Sequence, residues 1–287
     1  MQSGYRNQLT APQKGGMWLF LGLVGVIMVL PMWNVLVVST SSTFSASQSG
    51  FLLWWDDFSL EGFSYVLNVS KLGRPFLNSL LVTTVGTFIQ VALAGIAGYV
   101  LIQRDLPFKN FITSFIMLTM MIPGDLTMIS IYQLNRGLHL LNSYTGLIVN
   151  GLISGFSILL MRNFFETVSY TLSESARLDG ASEMRIFAGI YIPVSLPGLA
   201  TVFFMEYVAR WNSITIPATL LTNESLYTLP LKLKMMILST DSTSGTAQIP
   251  NNAIMAAIII TAAPLLLIYV FAQKFLLSGL NLGATKE

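Results

Sequence analysis

Six stretches of this chain are apolar for long enough to cross a lipid bilayer, and four of them carry no charged side chain. The windows cover approximately residues 17–39, 76–102, 111–133, 143–161, 193–217 and 253–273, and the first, second, fourth and sixth lack Asp, Glu, Lys and Arg altogether. Roughly 20 helical residues, rising about 1.5 Å each, span the ~30 Å of hydrocarbon. A helix on the surface of a soluble bundle keeps one polar face, and these windows have none to offer. Composition points the same way: 53% of the chain is apolar and 10% charged, against about 25% charged in soluble domains. The fold expected is all-α and polytopic, with six transmembrane helices.

Basic residues orient it. With the N-terminus on the cytoplasmic side, that side holds Arg6, Lys14, Arg104, Lys109, Arg162, Arg177, Arg185, Lys274 and Lys286, against Lys71, Arg74, Arg136, Lys232 and Lys234 outside. Nine against five favours N-in, C-in, because Lys and Arg in short loops stay cytoplasmic. The division is then a tail over 1–16, a single membrane domain over 17–277, and a tail over 278–287. Outer loops fall at 40–72 and 218–252, both rich in Ser and Thr, and the first carries Trp54-Trp55-Asp56-Asp57. The first apolar run is too long for a typical cleaved signal and should remain as a helix. Without cysteine there are no disulfides or thiolate metal sites, and a net charge of +2 without a basic cluster excludes nucleic acid as a partner.

One polar segment interrupts this pattern on the cytoplasmic side. In Thr171-Leu-Ser-Glu174, a Thr hydroxyl and a Glu carboxylate three residues apart have the spacing of a capping box, so a short helix is expected to start there. Asp179-Gly180 supplies a turn and Ser182 can cap a second short helix. The prediction is a helix-turn-helix over 171–187 on the membrane surface.

These residues resemble a known family. Glu174-Ser-Ala-Arg-Leu-Asp-Gly-Ala-Ser182, followed by Phe187, Ile190, Ile192-Pro193 and Leu196-Pro197, is similar to the cytoplasmic EAA loop of binding-protein-dependent ABC importer permeases. Asn78-Ser79, Met121-Ile-Pro123, Trp211-Asn212 with Pro217, and Ser278-Gly279 with Gly283-Ala284 resemble the carbohydrate, maltose-type branch. Pro31-Met-Trp-Asn34 and the outer loop resemble permeases for complex oligosaccharides such as alginate or pectin fragments. Ser175 and Ile192 depart from the pattern, which prefers Ala and Leu there.

The resemblance implies half of a transmembrane dimer, paired with a non-identical homologous permease. Each half rests its hairpin on one of two ATP-binding subunits, and an extracytoplasmic solute-binding protein delivers an oligosaccharide. It implies a multi-pass protein of the bacterial inner membrane that is not itself an enzyme. The chain has no G-x-x-x-x-G-K-[ST] loop to cradle nucleotide phosphates, so ATP and Mg belong to the partner. By the same resemblance Glu174, Ala176, Leu178, Asp179, Gly180, Ala181, Ser182 and Phe187 form the coupling surface. Glu174 is expected to meet a basic residue of the ATPase, Gly180 to allow close approach, and Leu178 with Phe187 to anchor in apolar surface. Pro193 and Pro197 then fix the direction of the fifth helix.

Polar groups within the apolar windows are candidates for a translocation path. Glu206 and Arg210, four residues apart, share one helix face and are expected to neutralise each other. An unpaired charge at mid-bilayer costs at least about 2.5–3.5 kcal/mol. The pair therefore either faces a cavity or interface, or supports packing. Asp125, after Pro123-Gly124, could line the same cavity at a local break in the third helix. Asn78, Gln90, Asn150 and Asn212 can bond sugar hydroxyls or a neighbouring helix, and Trp211 can stack on a sugar ring or sit at an interface. Gly151-x-x-x-Gly155 fits close helix packing. Two other classes compete: an ion-coupled secondary transporter using Asp125 or Glu206, and an intramembrane enzyme. The second is disfavoured by a single histidine, His139, and the lack of an H-E-x-x-H motif.

Overall fold

A computed structural model describes residues 10–48, 50–241 and 249–284. Every regular element among them is a helix, and an isolated antiparallel bridge joins Ser41 to Phe58. The all-α expectation therefore holds. Three of the six windows are unbroken helices long and apolar enough to cross a membrane, Ala11–Ser39, Gly73–Ile102 and Asn251–Ala284.

The other three windows are interrupted, for reasons written in their residues. The third breaks after helix Lys109–Met120, where Pro123 removes a backbone donor. A 3-10 turn, Gly124–Thr127, leads into helix Met128–Gly137. The fourth window divides into Tyr144–Val149 and Gly155–Glu166, the second capped by the Ser154 side chain accepting from Ser157 N at 3.3 Å. Between them Gly151 takes φ +91°, a left-handed conformation costly for residues with a Cβ. The GxxxG pattern therefore straddles a break and is no helix face. A Cβ on Gly155 would lie 2.9 Å from Met120 Cγ, so only this glycine serves close packing. The fifth window holds helix Leu196–Trp211, set at 79° to the helical segment Glu183–Val194 that precedes it.

The chain divides into two compact units, one of residues up to Ser70 with Met236–Ile260, the other of Lys71–Met235 with the residues from Thr261 onward. In the first, short helices Thr43–Gln48 and Glu61–Asn68 follow the opening helix. Val37, Val38, Ala46 and Leu52 form its core beside Trp33, Trp55 and Met255. Asn252, fully buried, donates to Ser41 O at 3.1 Å.

The second unit is organised around helix Gly73–Ile102, against which Gly155–Glu166 and Leu196–Trp211 pack. Glycines permit the contact: a Cβ on Gly98 would meet Arg162 N at 2.9 Å and Met161 Cβ at 3.0 Å. Buried Val91, Ala94, Tyr99, Ile158, Met161, Phe165, Ile186, Tyr191 and Val202 fill the interior. A second cluster, Val82, Leu147, Leu220, Leu221 and Leu231, closes the other end of that helix.

Candidate functional site

Breaks in the third and fourth windows leave a cavity of about 460 Å³ in the second unit, within the ~300–1,000 Å³ usual for small-molecule sites. Gln90, Asn150, Glu206, Arg210 and Trp211 line it, together with Ser79, Thr83, Thr127, Ser154 and Thr228. Five expected path residues are thus brought together. Asn78 is not among them: its amide donates to Ser225 O and Tyr227 O, each at 3.0 Å, and its oxygen accepts from the Tyr144 hydroxyl at 2.7 Å. With its amide spent on fastening helix Gly73–Ile102 to the 225–227 turn, Asn78 is a structural residue. Asn212 is exposed at the end of helix Leu196–Trp211 and does not line the cavity. The side chain of Asp125 lies outside the described residues, while its neighbours Gly124 and Thr127 border the cavity.

Glu206 and Arg210 do not form the expected pair. The Ser157 hydroxyl, fully buried, donates to Glu206 Oε1. Arg210 turns to the broken fourth window. Its Nη2 donates to Gly151 O and Gln90 Oε1, both at 2.9 Å, and its Nη1 lies 3.3–3.4 Å from Leu147 O, Ile148 O and Asn150 O. Carbonyls freed where a helix ends carry partial negative charge and attract a cation. The guanidinium satisfies several at once, which a single carboxylate one turn away could not do.

The remaining polar lining is mostly committed. Asn150 and Asn135 exchange hydrogen bonds at 2.9 and 3.3 Å, and Trp211 donates its indole N–H to Thr261 O at 3.0 Å. Asn135 and Thr228 were not singled out from sequence, since a lone Asn or Thr in an apolar run gives no sign of where it points. Thr228 is buried, borders the cavity, and its hydroxyl has no hydrogen-bond partner.

The polar hairpin forms as helices Tyr170–Leu178 and Glu183–Ile186, with one change at its start. Ser169, not Thr171, occupies the N-cap, so Thr171 lies inside the first turn and the expected capping box is not made. Ser173 is buried with its hydroxyl donating to Tyr170 O at 2.7 Å, and half-buried Ala176 packs against the core. The first helix ends in a Schellman motif: Ala181 N bonds Ala176 O at 2.9 Å and Gly180 N bonds Arg177 O at 3.0 Å, with Gly180 at φ +80°. Ser182 caps the second helix, accepting from Arg185 N at 3.4 Å.

Two faces result. Outward, Leu178 is 89% and Met184 69% exposed, and Glu174 is exposed with no ion pair among the described residues. Inward, Phe187 packs on Tyr99 at 5.0 Å and Phe165 at 6.1 Å. Phe187 therefore anchors the hairpin in this chain's own core, since it follows buried Ile186 on the inner face. Ala176 and Ala181 border the same core.

A polar clamp, not foreseen from sequence, joins the hairpin to helix Gly73–Ile102. Arg177 Nε donates to Glu183 Oε1 at 2.7 Å and its Nη2 to Gln103 Oε1 at 3.0 Å, while the Tyr99 hydroxyl donates to Glu183 Oε2 at 2.6 Å. Arg177, and after it Tyr99, holds the Glu183 carboxyl below the usual carboxylate range. Arg177 is in turn raised above its ordinary value by Glu183. Beyond the clamp the chain passes through a π-helical turn, Phe187–Tyr191, before Pro193 and Pro197, with the bend at Ser195.

Comparison with known proteins agrees with this architecture. Residues 90–281 match the family model described as binding-protein-dependent transport system inner membrane component. The polygalacturonan/rhamnogalacturonan transport system permease protein YtcP of Bacillus subtilis (strain 168) is 29% identical over 275 residues, covering 93% of this chain and 96% of that protein. The arabinooligosaccharides transport system permease protein AraQ of the same organism is 26% identical over 273 residues, covering 93% and 94%. A crystal structure of a bacterial ABC transporter involved in the import of the acidic polysaccharide alginate contains a chain of the same fold, with TM-score 0.84 at 23% identity, covering 96% of this chain and 99% of that one.

Proposed function

Because this chain belongs to the family of binding-protein-dependent transport system inner membrane components, we propose that it is the permease subunit through which an ATP-driven importer admits an oligosaccharide. Members are non-catalytic permease subunits of ABC transporters. The observation that carries the reading is the hairpin: it shows Glu174, Leu178 and Met184 to solvent and is fixed from behind by the Arg177–Glu183–Tyr99 clamp. A protrusion with an exposed outer face, fastened from behind in this way, suits a mechanical link to a separate ATPase.

In this reading the six windows are six spans with both termini in the bacterial cytoplasm, the broken third, fourth and fifth lining the path. Residues 17–277 form the membrane domain, 1–16 and 278–287 cytoplasmic tails, 40–72 and 218–252 outer loops that receive a binding protein. The hairpin over 171–187 couples, through Glu174, Ala176, Leu178, Asp179, Gly180, Ala181 and Ser182, to one of two ATP-binding subunits holding ATP and Mg. Phe187, Pro193 and Pro197 transmit the motion inward. A non-identical second permease completes the path, to which Gln90, Asn150, Glu206, Arg210 and Trp211 contribute from this side. An oligosaccharide is favoured because the cavity offers hydroxyl groups, such as the unpartnered one of Thr228, and because the similar proteins named above serve saccharides.

The test is to purify the tagged chain, co-expressed with its genomic neighbours, and to measure ATP hydrolysis in the presence of candidate oligosaccharides and binding protein. A P-loop ATPase and a second permease in fixed stoichiometry, with hydrolysis stimulated by a saccharide, are expected. A chain that purifies alone, uncrosslinked to any ATPase through 171–187, defeats the proposal.

A further inference from the structure

The geometry points to Arg210 as a built-in cation: its tethered guanidinium occupies a carbonyl bowl in the broken fourth window and holds that break open, shaping the cavity instead of serving as a free contact for substrate. Four backbone carbonyls, from Leu147, Ile148, Asn150 and Gly151, and the Gln90 side-chain oxygen all lie within 2.9–3.4 Å of its Nη atoms. Unwound backbone carbonyls between half-helices are the environment in which carriers seat a coupling metal cation. Here the positive charge arrives on the chain itself. No carboxylate comes within ion-pair distance of it among the described residues.

Two glycines fit this role, each for a separate reason. A Cβ on Gly86 would stand 2.7 Å from Arg210 Cζ, so the helix Gly73–Ile102 presents bare backbone where the guanidinium lies flat. Gln90, one turn further along the same face, then meets Nη2. Gly151, at φ +91°, bends the backbone so that its carbonyl reaches that same nitrogen. Without the cation those carbonyls would lose the donors it supplies where the fourth window is broken, at a cost comparable with lost hydrogen bonds. The inference concerns folding of the chain and stands whether or not the cargo is a saccharide.

It is tested by melting the purified full-length protein in mild detergent. Arg210→Ala is expected to lower the midpoint, and methylguanidinium, below denaturing concentration, to restore most of the loss in that variant but not to raise the unsubstituted protein. Methylurea, of the same shape without charge, should not restore it. Gly86→Ala should also lower the midpoint, although Gly→Ala within a helix normally raises helix stability. In the Arg210→Ala background it should do little, because the clash is gone. If Arg210→Ala does not accumulate, Arg210→Lys and Gly86→Ala carry the test, and both should melt below the unsubstituted protein. Unchanged melting of the Arg210 variants, equal rescue by methylurea, additive effects of the two substitutions, or stabilisation by an anionic saccharide that requires Arg210 would each overturn the assignment.

Discussion

Replacing Tyr99 by Phe removes one hydroxyl and leaves the ring, and thus isolates the link between the hairpin and the membrane domain. The hydroxyl donates to Glu183 at 2.6 Å, and hydrogen bonds to charged groups contribute about 1.5–3 kcal/mol. Glu183 is 57% exposed, so water can replace the lost donor and the cost should fall to the lower end, about 1–2 kcal/mol. The ring contacts remain, with Phe187 and Tyr191 each at 5.0 Å and Phe165 at 6.5 Å. A loss of this size raises the population of the locally open hairpin by a factor of about 5–30. Amide hydrogen exchange of peptides spanning 171–191 in the assembled transporter should accelerate accordingly, and ATP hydrolysis should become less tightly linked to uptake. If Tyr99→Phe left exchange unchanged while Tyr99→Ala accelerated it, the aromatic packing and not the hydroxyl would hold the hairpin, and the clamp argument would fail.

Glu174→Lys is expected to abolish uptake and ATPase stimulation while the chain still inserts and melts normally, because Glu174 is exposed and makes no ion pair among the described residues; a loss of membrane insertion instead would contradict a purely docking role. The depressed Glu183 carboxyl, lower folded than unfolded, stabilises fully above the ordinary carboxylate range and loses its contribution progressively as pH falls from that range through the folded value. Hairpin exchange, corrected for intrinsic pH dependence, should therefore stay flat from neutral pH down to the ordinary carboxylate range and rise progressively below it, whereas Glu183→Gln should be fast at neutral pH and insensitive to acid. A Cβ on Gly198 would run into the Phe164 ring, whereas one on Gly189 would meet nothing within 4 Å; Gly198→Ala should destabilise by about 1–3 kcal/mol and Gly189→Ala should not, and equal melting temperatures would show that Phe164 yields freely.

Parts of this architecture are legible locally. The Asp179-Gly180-Ala181 stretch encodes its own helix stop, because glycine tolerates the left-handed turn that closes a Schellman motif. Ser182 and Ser154 cap the helices that follow them, and Pro123 marks a real break. Thr171 was misleading because the helix starts earlier, with Ser169 at the N-cap position and Thr171 inside the first turn. Glu206 and Arg210 stand at ideal spacing for a pair, yet each found a partner far along the chain: Ser157 for one, the 147–151 carbonyls and Gln90 for the other. Phe187 shows the same limit from the opposite side, since an aromatic in a docking motif reads as contact surface until its ring is seen among Tyr99 and Phe165.

What the sequence determined is the solvent and the class: charge-free runs of this length leave only helices in lipid, because hydrocarbon offers backbone groups no other partners. It also determined the hairpin's turn and the cap of its second helix, which are satisfied within a few residues. The cavity and the clamp were decided by tertiary structure alone. Hydropathy records how apolar a helix is and not which way it is rotated, so whether Asn78, Asn150 or Arg210 meets a cavity, another helix or a row of bare carbonyls depends on neighbours tens of residues away. An i,i+4 charge pair gains little beside a set of otherwise unsatisfied backbone oxygens. Only the assembled fold brings those oxygens within reach.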